Sequence, residues 1–523
     1  MRHLAVVCVA CLSLIAPVQG LAASAAENLA SAVRFPTVSH QNESDMDVEA
    51  FAGLHAFLRA TYPLTFSQLQ VEVINGYSLL MIWPGSDPEQ APVLYTAHID
   101  VVPVEPGTEA GWTHPAFAGV IADGRIYGRG TLDDKIGVIS LLEATERLLA
   151  QGYRPARTLV LGFGHDEEIG GEEGAARIAE RLQELGMHFE WMVDEGSYII
   201  DENPLLPGKS SAAIGVAEKA YLTLVLTVQG QGGHSSMPPA QTTIGQLAAA
   251  VVKVENSPFP PRLVAPVAAM LERSAPYQEF PSNLVFENLW LTESLVTDRM
   301  LQDKSSASMV RTTTAATMFN AGVKENVIPQ SAEARINFRL LPGDTPDMVI
   351  AHVRKVIDDP GVEVSLSREW RDPPPIAAMS GGGFDAIATA AKSVYPDVVV
   401  LPFMMMATTD IRHYIELADN HYRFHGAVMT LEQSPGIHGT DEWVGVESFE
   451  RAVDVAVQML RESGGKGTEV VRQQACSEPR AEVCTMEYAP VCANKVDGSQ
   501  QQYSNGCSAC ADPDVNAYNV GPC

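Results

Sequence analysis

Three apolar runs in the first half of the chain end in acids or histidine, and this pattern limits the fold more than any other. VLYTAHID, RTLVLGFGHDEE and FEWMVDEG each read as a buried strand with a charged end. Ionised carboxylates repel one another, and burying them without partners is costly. Between the runs lie amphipathic segments at helical spacing, among them VEAFAGLHAFLRATY, IGVISLLEATERLLAQG and GEEGAARIAERLQELG. Buried strands alternating with helices imply an α/β domain with a mostly parallel central sheet. Ligands of such sheets gather outside the carboxyl ends of the strands. The acids therefore meet at one edge, where a cation would make them tolerable.

The character changes near Gly215. KAYLTLVLTVQGQ alternates apolar and polar residues, as a strand with one exposed face does. QTTIGQLAAAVVKVE and TPDMVIAHVRKVIDD read as helices, and ATMFNAGV and EARINFRLL as strands. This is a second, α+β unit inserted over 215–372. The α/β domain then spans 26–214 and 373–465. A linker over 466–475 leads to a Cys-rich tail, 476–523.

The N-terminal MRHLAVVCVACLSLIAPVQGLAASAAE has a basic residue, a short apolar run and an A-x-A site ending at Ala25. That is a signal peptide over 1–25, too short to span a membrane. No other run is long enough to be a transmembrane anchor, so the mature chain is expected to be secreted or periplasmic. The formal net charge of -29 argues against nucleic acid as a partner. Of eight Cys, two lie in the signal segment and six fall between Cys476 and Cys523. A Cys-free body with a Cys-dense tail indicates a disulfide-stapled module in an oxidising compartment.

Four strand-end clusters carry metal-ligand types: His98 with Asp100, Asp133 with Asp134, Glu167 with Glu168, and Asp194 with Glu195. His438, in SPGIHGTDEW, is a fifth candidate. Hard acids and imidazoles without nearby Cys suit Zn²⁺ or a similar divalent ion. Here the chain resembles the di-zinc metallopeptidases and amidohydrolases that include aminoacylase, carboxypeptidase S and succinyl-diaminopimelate desuccinylase. The matching segments are YTAHIDVVPV, GRGTLDDK, GHDEEIGG, VDEGS, QGQGGHSSMPP, ENVIP, TTDIRHY and GIHGTDEW. The likeness is greatest to the carboxypeptidase S and N-acyl-amino-acid hydrolase branch.

The resemblance implies a zinc-peptidase catalytic domain with an inserted ferredoxin-like lid that also dimerises. It implies two Zn²⁺ per subunit; Co²⁺ or Mn²⁺ would suit the same donors. His98 and Asp194 would hold one ion, His438 and Glu168 the other, and Asp133 would bridge them. Asp100 would orient His98. A cis peptide would follow Asp133. Glu167 is then the general base, acting on a water that the metals acidify. His234 in GGHSS would donate to the oxyanion, supplied by the partner subunit of a homodimer. Asn326, Arg339 and Arg412 occupy positions where the family holds substrate. Arg412 best suits a carboxylate gripped bidentately; the competing reading is an ion pair with Asp410. The extra length around 257–314 is expected to enlarge the lid.

These implications amount to a secreted hydrolase that cleaves an amide or peptide bond next to a free carboxylate, in N-acyl amino acids or short peptides. Two alternatives stand beside it. One is a reversible N-acyl amino acid synthase/hydrolase; the other is an inactive binding protein whose tail inhibits serine proteases. Six Cys allow fifteen pairings. CTMEYAPVC and YSNGCSAC resemble Kazal-type inhibitors, which implies Cys476–Cys510, Cys484–Cys507 and Cys492–Cys523. By the same resemblance Met486 and Glu487 form the loop offered to a serine protease.

Overall fold

The computed structural model describes residues 23–367, 373–430, 432–465, 468–469, 474–476, 480, 484, 490–496 and 499–520. Most of the signal segment, parts of the linker, Met486, Glu487 and Cys523 therefore lie outside the described residues. The helix Ala25–Val33 is capped by Ser24 in a reciprocal box with Glu27. Ala25 and Ala26 are buried, so a cut after Ala25 would remove both the cap and a packed methyl.

The larger sheet has ten strands. In its middle, Leu159–Gly164, Val93–His98, Trp191–Asp194 and His421–Arg423 run parallel, side by side. Alternate residues of Val93–His98 serve opposite faces, as a strand requires. Val93, Tyr95 and Ala97 join the core with the helices Lys135–Ala150 and Val446–Gly464, while Leu94 packs with Ile178 and Leu182 of the helix Ala175–Glu184. Burial of each such apolar side chain stabilises by roughly 1.5–3 kcal/mol. The outer strands depart from the expected parallel order. Gln70–Ile74 and Ser78–Trp83 form an antiparallel hairpin turning through left-handed Asn75 and Gly76. Ser211–Glu218 also runs antiparallel to its neighbour His421–Arg423. The sheet is mixed.

The inserted unit follows the order strand, helix, strand, strand, helix, strand. Its strands Thr313–Ala321, Ser331–Leu340, Ala220–Gln229 and Val362–Leu366 form one antiparallel sheet in that spatial order. Leu222, Leu224, Leu226 and Val228 face Leu247, Val349 and Val353 of its two helices. Two expectations shift here. Ser211–Glu218 belongs to the larger sheet, so the insertion begins at Ala220 rather than Gly215. The extra helices, Ala265–Ser274 to Lys304–Val310, do not enlarge the lid's own core. Their Val267, Met270, Leu271 and Val296 pack with Leu206, Ala217, Leu401 and Met404, covering the strand Val399–Met405 of the larger sheet.

In the tail, Val491, Ala493, Ala509 and Val515 make a small core. Cys476–Cys510 and Cys484–Cys507 are disulfides, and Cys492 is disulfide-bonded as well. Such a small core depends on its staples. No helix among the described residues is long and apolar enough to cross a membrane.

Candidate metal centre

Parallel strands in register bring the charged ends together. His98 is the last residue of its strand and lies opposite Gly164. Asp166, Glu167 and Glu168 follow immediately on one side, and Glu195 follows the neighbouring strand on the other. Asp133 arrives on the loop before the helix Lys135–Ala150, and its peptide bond to Asp134 is cis. His438 arrives on a loop near the carboxyl end, with left-handed backbone (φ 57°).

Asp133 stands between the two imidazoles. Its Oδ1 lies 3.0 Å from His98 Nε2 and its Oδ2 3.0 Å from His438 Nε2. Glu168 Oε2 is 3.0 Å from His438 Nε2, and Glu195 Oε1 is 3.5 Å from His98 Nε2. Asp100 works behind them. It lies 3.3 Å from His98 Nδ1 through Oδ1, and accepts the backbone N–H groups of Glu167 and Glu168 at 3.2 Å each. Ser39 donates to its Oδ2 at 2.6 Å.

The electrostatics are those of a site short of positive charge. Burial, then the charges of Asp410 and Glu195, pushes Glu167 well above the usual carboxylate range. Burial and Asp133 do the same to Glu195. Hydrogen bonds to Asp133 and Glu168 raise His438 to about 10. Burial opposes protonation of His98, but Glu195, Asp100 and Asp133 outweigh it and lift the imidazole well above its ordinary value. These acids and imidazoles, all shifted toward their protonated forms, mark a site that a cation would stabilise. Glu168 Oε1 is buried with no hydrogen-bond partner. Two ligand groups are close enough for an ion: His98, Asp133 and Glu168, and His98, Asp134 and Glu195. The donor set, imidazole and carboxylate only, fits Zn²⁺. Loading a cation must displace the protons.

The expected ligand Asp194 stands on the strand face that carries Thr96 and His98, and its Oδ2 is buried with no hydrogen-bond partner. Asp194 is still in its strand, and its Oδ1 accepts Thr96 Oγ1 at 2.7 Å. Glu195, one residue past the strand end, brings its Oε1 to 3.5 Å from His98 Nε2. Asp134, a candidate beside Asp133, accepts the backbone N–H of His98 at 3.2 Å through Oδ2, and one group not expected there, His425, brings its Nε2 to 2.9 Å from Asp134 Oδ1.

The expected substrate residues are spread more widely. Arg412 is at the cluster, its Nη2 3.4 Å from Glu167 Oε1 and 3.6 Å from Asp410 Oδ1. His234 is exposed on the lid, where Ser236 Oγ lies 2.7 Å from its Nδ1. The backbone carbonyl of Asn326 accepts Ser235 N–H at 3.2 Å, so the lid places these two loops side by side. Arg339 lies over the Tyr221 ring at 4.7 Å, within the lid sheet. None of these lid contacts joins the strand-end cluster.

The family model for peptidase family M20/M25/M40 matches residues 94–462. A probable carboxypeptidase S-like 2 of Dictyostelium discoideum is 39% identical, over 83% of this chain and 84% of its own. The N-fatty-acyl-amino acid synthase/hydrolase PM20D1 of Bos taurus is 39% identical, over 83% of this chain and 87% of its own. Among solved structures, the M20 family metallo-carboxypeptidase Sso-CP2 of Sulfolobus solfataricus superposes with a TM-score of 0.62 at 18% identity, covering 84% of this chain and 99% of its own. Human carnosine dipeptidase 1 gives 0.60 at 15%, covering 84% and 96%. At that identity the two structures speak to the fold alone.

Proposed function

Because the chain belongs to the M20/M25/M40 peptidase family, we propose that it is a secreted, zinc-dependent hydrolase of amide bonds next to a free carboxylate. The observation that carries this reading is the shared carboxylate of Asp133 between two imidazoles, with Arg412 beside Glu167. His98 would hold one ion with Asp194 or Glu195, His438 and Glu168 the other, and Asp133 both. Zinc is the first choice of metal, and Co²⁺ or Mn²⁺ would satisfy the same donors. When bound, the ions supply an acidified water and polarise the scissile carbonyl.

The chain's own groups do the rest. Asp100 fixes the His98 ring and, through two backbone N–H groups, the turn that carries Glu167. Glu167 takes the proton from the attacking water and returns it to the leaving amine. Arg412 grips the substrate carboxylate with its planar fork. That places the scissile amide within reach of Glu167, because base and guanidinium already touch. His234, with Asn326 beside it, would donate to the oxyanion from the partner subunit of a homodimer. The tail would act as a Kazal-like module that binds a serine protease through Met486 and Glu487.

N-fatty-acyl amino acids are the first substrates to test, since relatives carry that activity in their names; short peptides are the second. The zinc-loaded full chain, incubated with each class, should release a free amino acid, seen by mass spectrometry. Turnover of neither class would sink the reading.

A further inference from the structure

Two buried residues that touch none of the proposed ligand side chains tie together the loops that carry them. Arg129 lies four residues before Asp133, and Glu442 four after His438. Both are buried, and Arg129 Nη1 lies 2.7 Å from Glu442 Oε2. Each also clasps the other's loop. Glu442 Oε1 accepts the backbone N–H groups of Gly130 at 3.1 Å, Leu132 at 2.7 Å and Asp133 at 3.3 Å. Arg129 donates to the carbonyls of Gly436 at 3.3 Å and Gly439 at 2.6 Å, on either side of His438.

We infer that Arg129 and Glu442 are positioning residues: a reciprocal brace that sets Asp133 and His438 at the separation one divalent ion requires. Neither loop holds that geometry by itself. His438 has left-handed backbone, which a residue other than glycine keeps only when its surroundings enforce it. The turn around it is tight, since a Cβ on Gly439 would stand 2.1 Å from the carbonyl oxygen of Pro435. A carboxylate that accepts backbone N–H groups on one loop while its guanidinium partner holds backbone carbonyls of the other is such an enforcement. His98 needs no such help, because it sits at a strand end and is oriented by Asp100.

Through His438 the brace bears on one ion alone, and through Asp133, which both ions would share, it bears less strongly on the other. Groups that orient metal ligands typically change affinity about 10–100-fold when altered. The inference rests on the metal reading above, so the wild-type chain is titrated beside the variants. Chelated full-length protein is titrated with Co²⁺, followed by absorption and by calorimetry, in wild type, Glu442→Gln and Arg129→Lys. Wild type should take up two ions. Each variant should bind the ion at His438 about 10–100-fold more weakly and the other, which keeps His98, by a clearly smaller factor, with an altered Co²⁺ spectrum. Arg129→Lys keeps the buried charge but replaces the fork with a point donor, and it carries the test if Glu442→Gln does not fold. Wild type that takes no ion overturns the metal reading itself. Wild type that takes two, beside folded variants that bind both unchanged or lose both equally, overturns the brace alone.

Discussion

Glu167→Gln should retain both divalent ions and lose amide turnover by roughly 10²–10⁴-fold, the usual contribution of a positioned general base. The adjacent substitution Glu168→Gln should do the opposite, weakening metal binding first. The two glutamates are neighbours in sequence but not in surroundings. Glu168 Oε2 faces His438 Nε2 at 3.0 Å, and its other oxygen is buried without a partner. Glu167 instead faces Arg412, and its carboxyl lies high because burial and the charges of Asp410 and Glu195 disfavour ionisation. The amide of Gln fills the same space but cannot take a proton. Metal content and turnover, measured together on both variants, separate the roles; equal loss of metal from both would contradict the division.

Arg412→Ala should lower kcat/KM for N-acyl amino acids by about 10²-fold or more, as truncation of one partner of a buried charge pair typically costs about 2–5 kcal/mol. Part of that loss is not substrate binding. Arg412 also counters the repulsion between Glu167 and Asp410, so its removal lifts both carboxyls further. The separating readout is the preference for a substrate with a free carboxylate over its carboxamide. That preference should collapse in Arg412→Ala. Arg412→Lys should recover part of it, since a point charge attracts a carboxylate without matching it bidentately. An unchanged preference would mean that Arg412 serves only its ion pair with Asp410.

Much of this site is legible in the sequence alone. His98 and Glu168 stand out because hard ligands seldom close or follow a buried strand unless a cation meets them there, whereas Asp133 and His438, which sit on loops, are picked out by the resemblance carried by GRGTLDDK and GIHGTDEW. The choice between Asp194 and Glu195 is not legible. Both acids lie at the strand end in VDEG, and both come to the centre: Glu195 Oε1 is 3.5 Å from His98 Nε2, while Asp194 bonds Thr96 through one oxygen and leaves the other buried without a partner. The start of the lid is hidden for a similar reason. Ser211–Glu218 runs into Ala220–Gln229 with a single residue between them, so the change of sheet leaves little mark in the sequence. The helices after residue 264 are legible as an addition but not in their placement. Which sheet they cover depends on partners such as Leu401 and Met404, far away along the chain. Arg129 and Glu442 lie 313 residues apart, and each alone reads as an ordinary surface charge. The ring of His234 turns to Ser236 on the lid, so its proposed role depends on the second subunit.

Zinc titration of the chelated full-length protein, by calorimetry with turnover measured in parallel, tests the centre most directly. His438, held protonated by Asp133 and Glu168 with a value of about 10, must lose its proton to bind zinc at neutral pH. Zinc uptake should therefore release protons, and affinity should weaken as the pH falls. Two equivalents should bind, and hydrolysis of N-acyl amino acids, absent from the chelated protein, should return with them. Full turnover without metal, or uptake of zinc that neither releases protons nor restores hydrolysis, would contradict a two-ion centre built on Asp133.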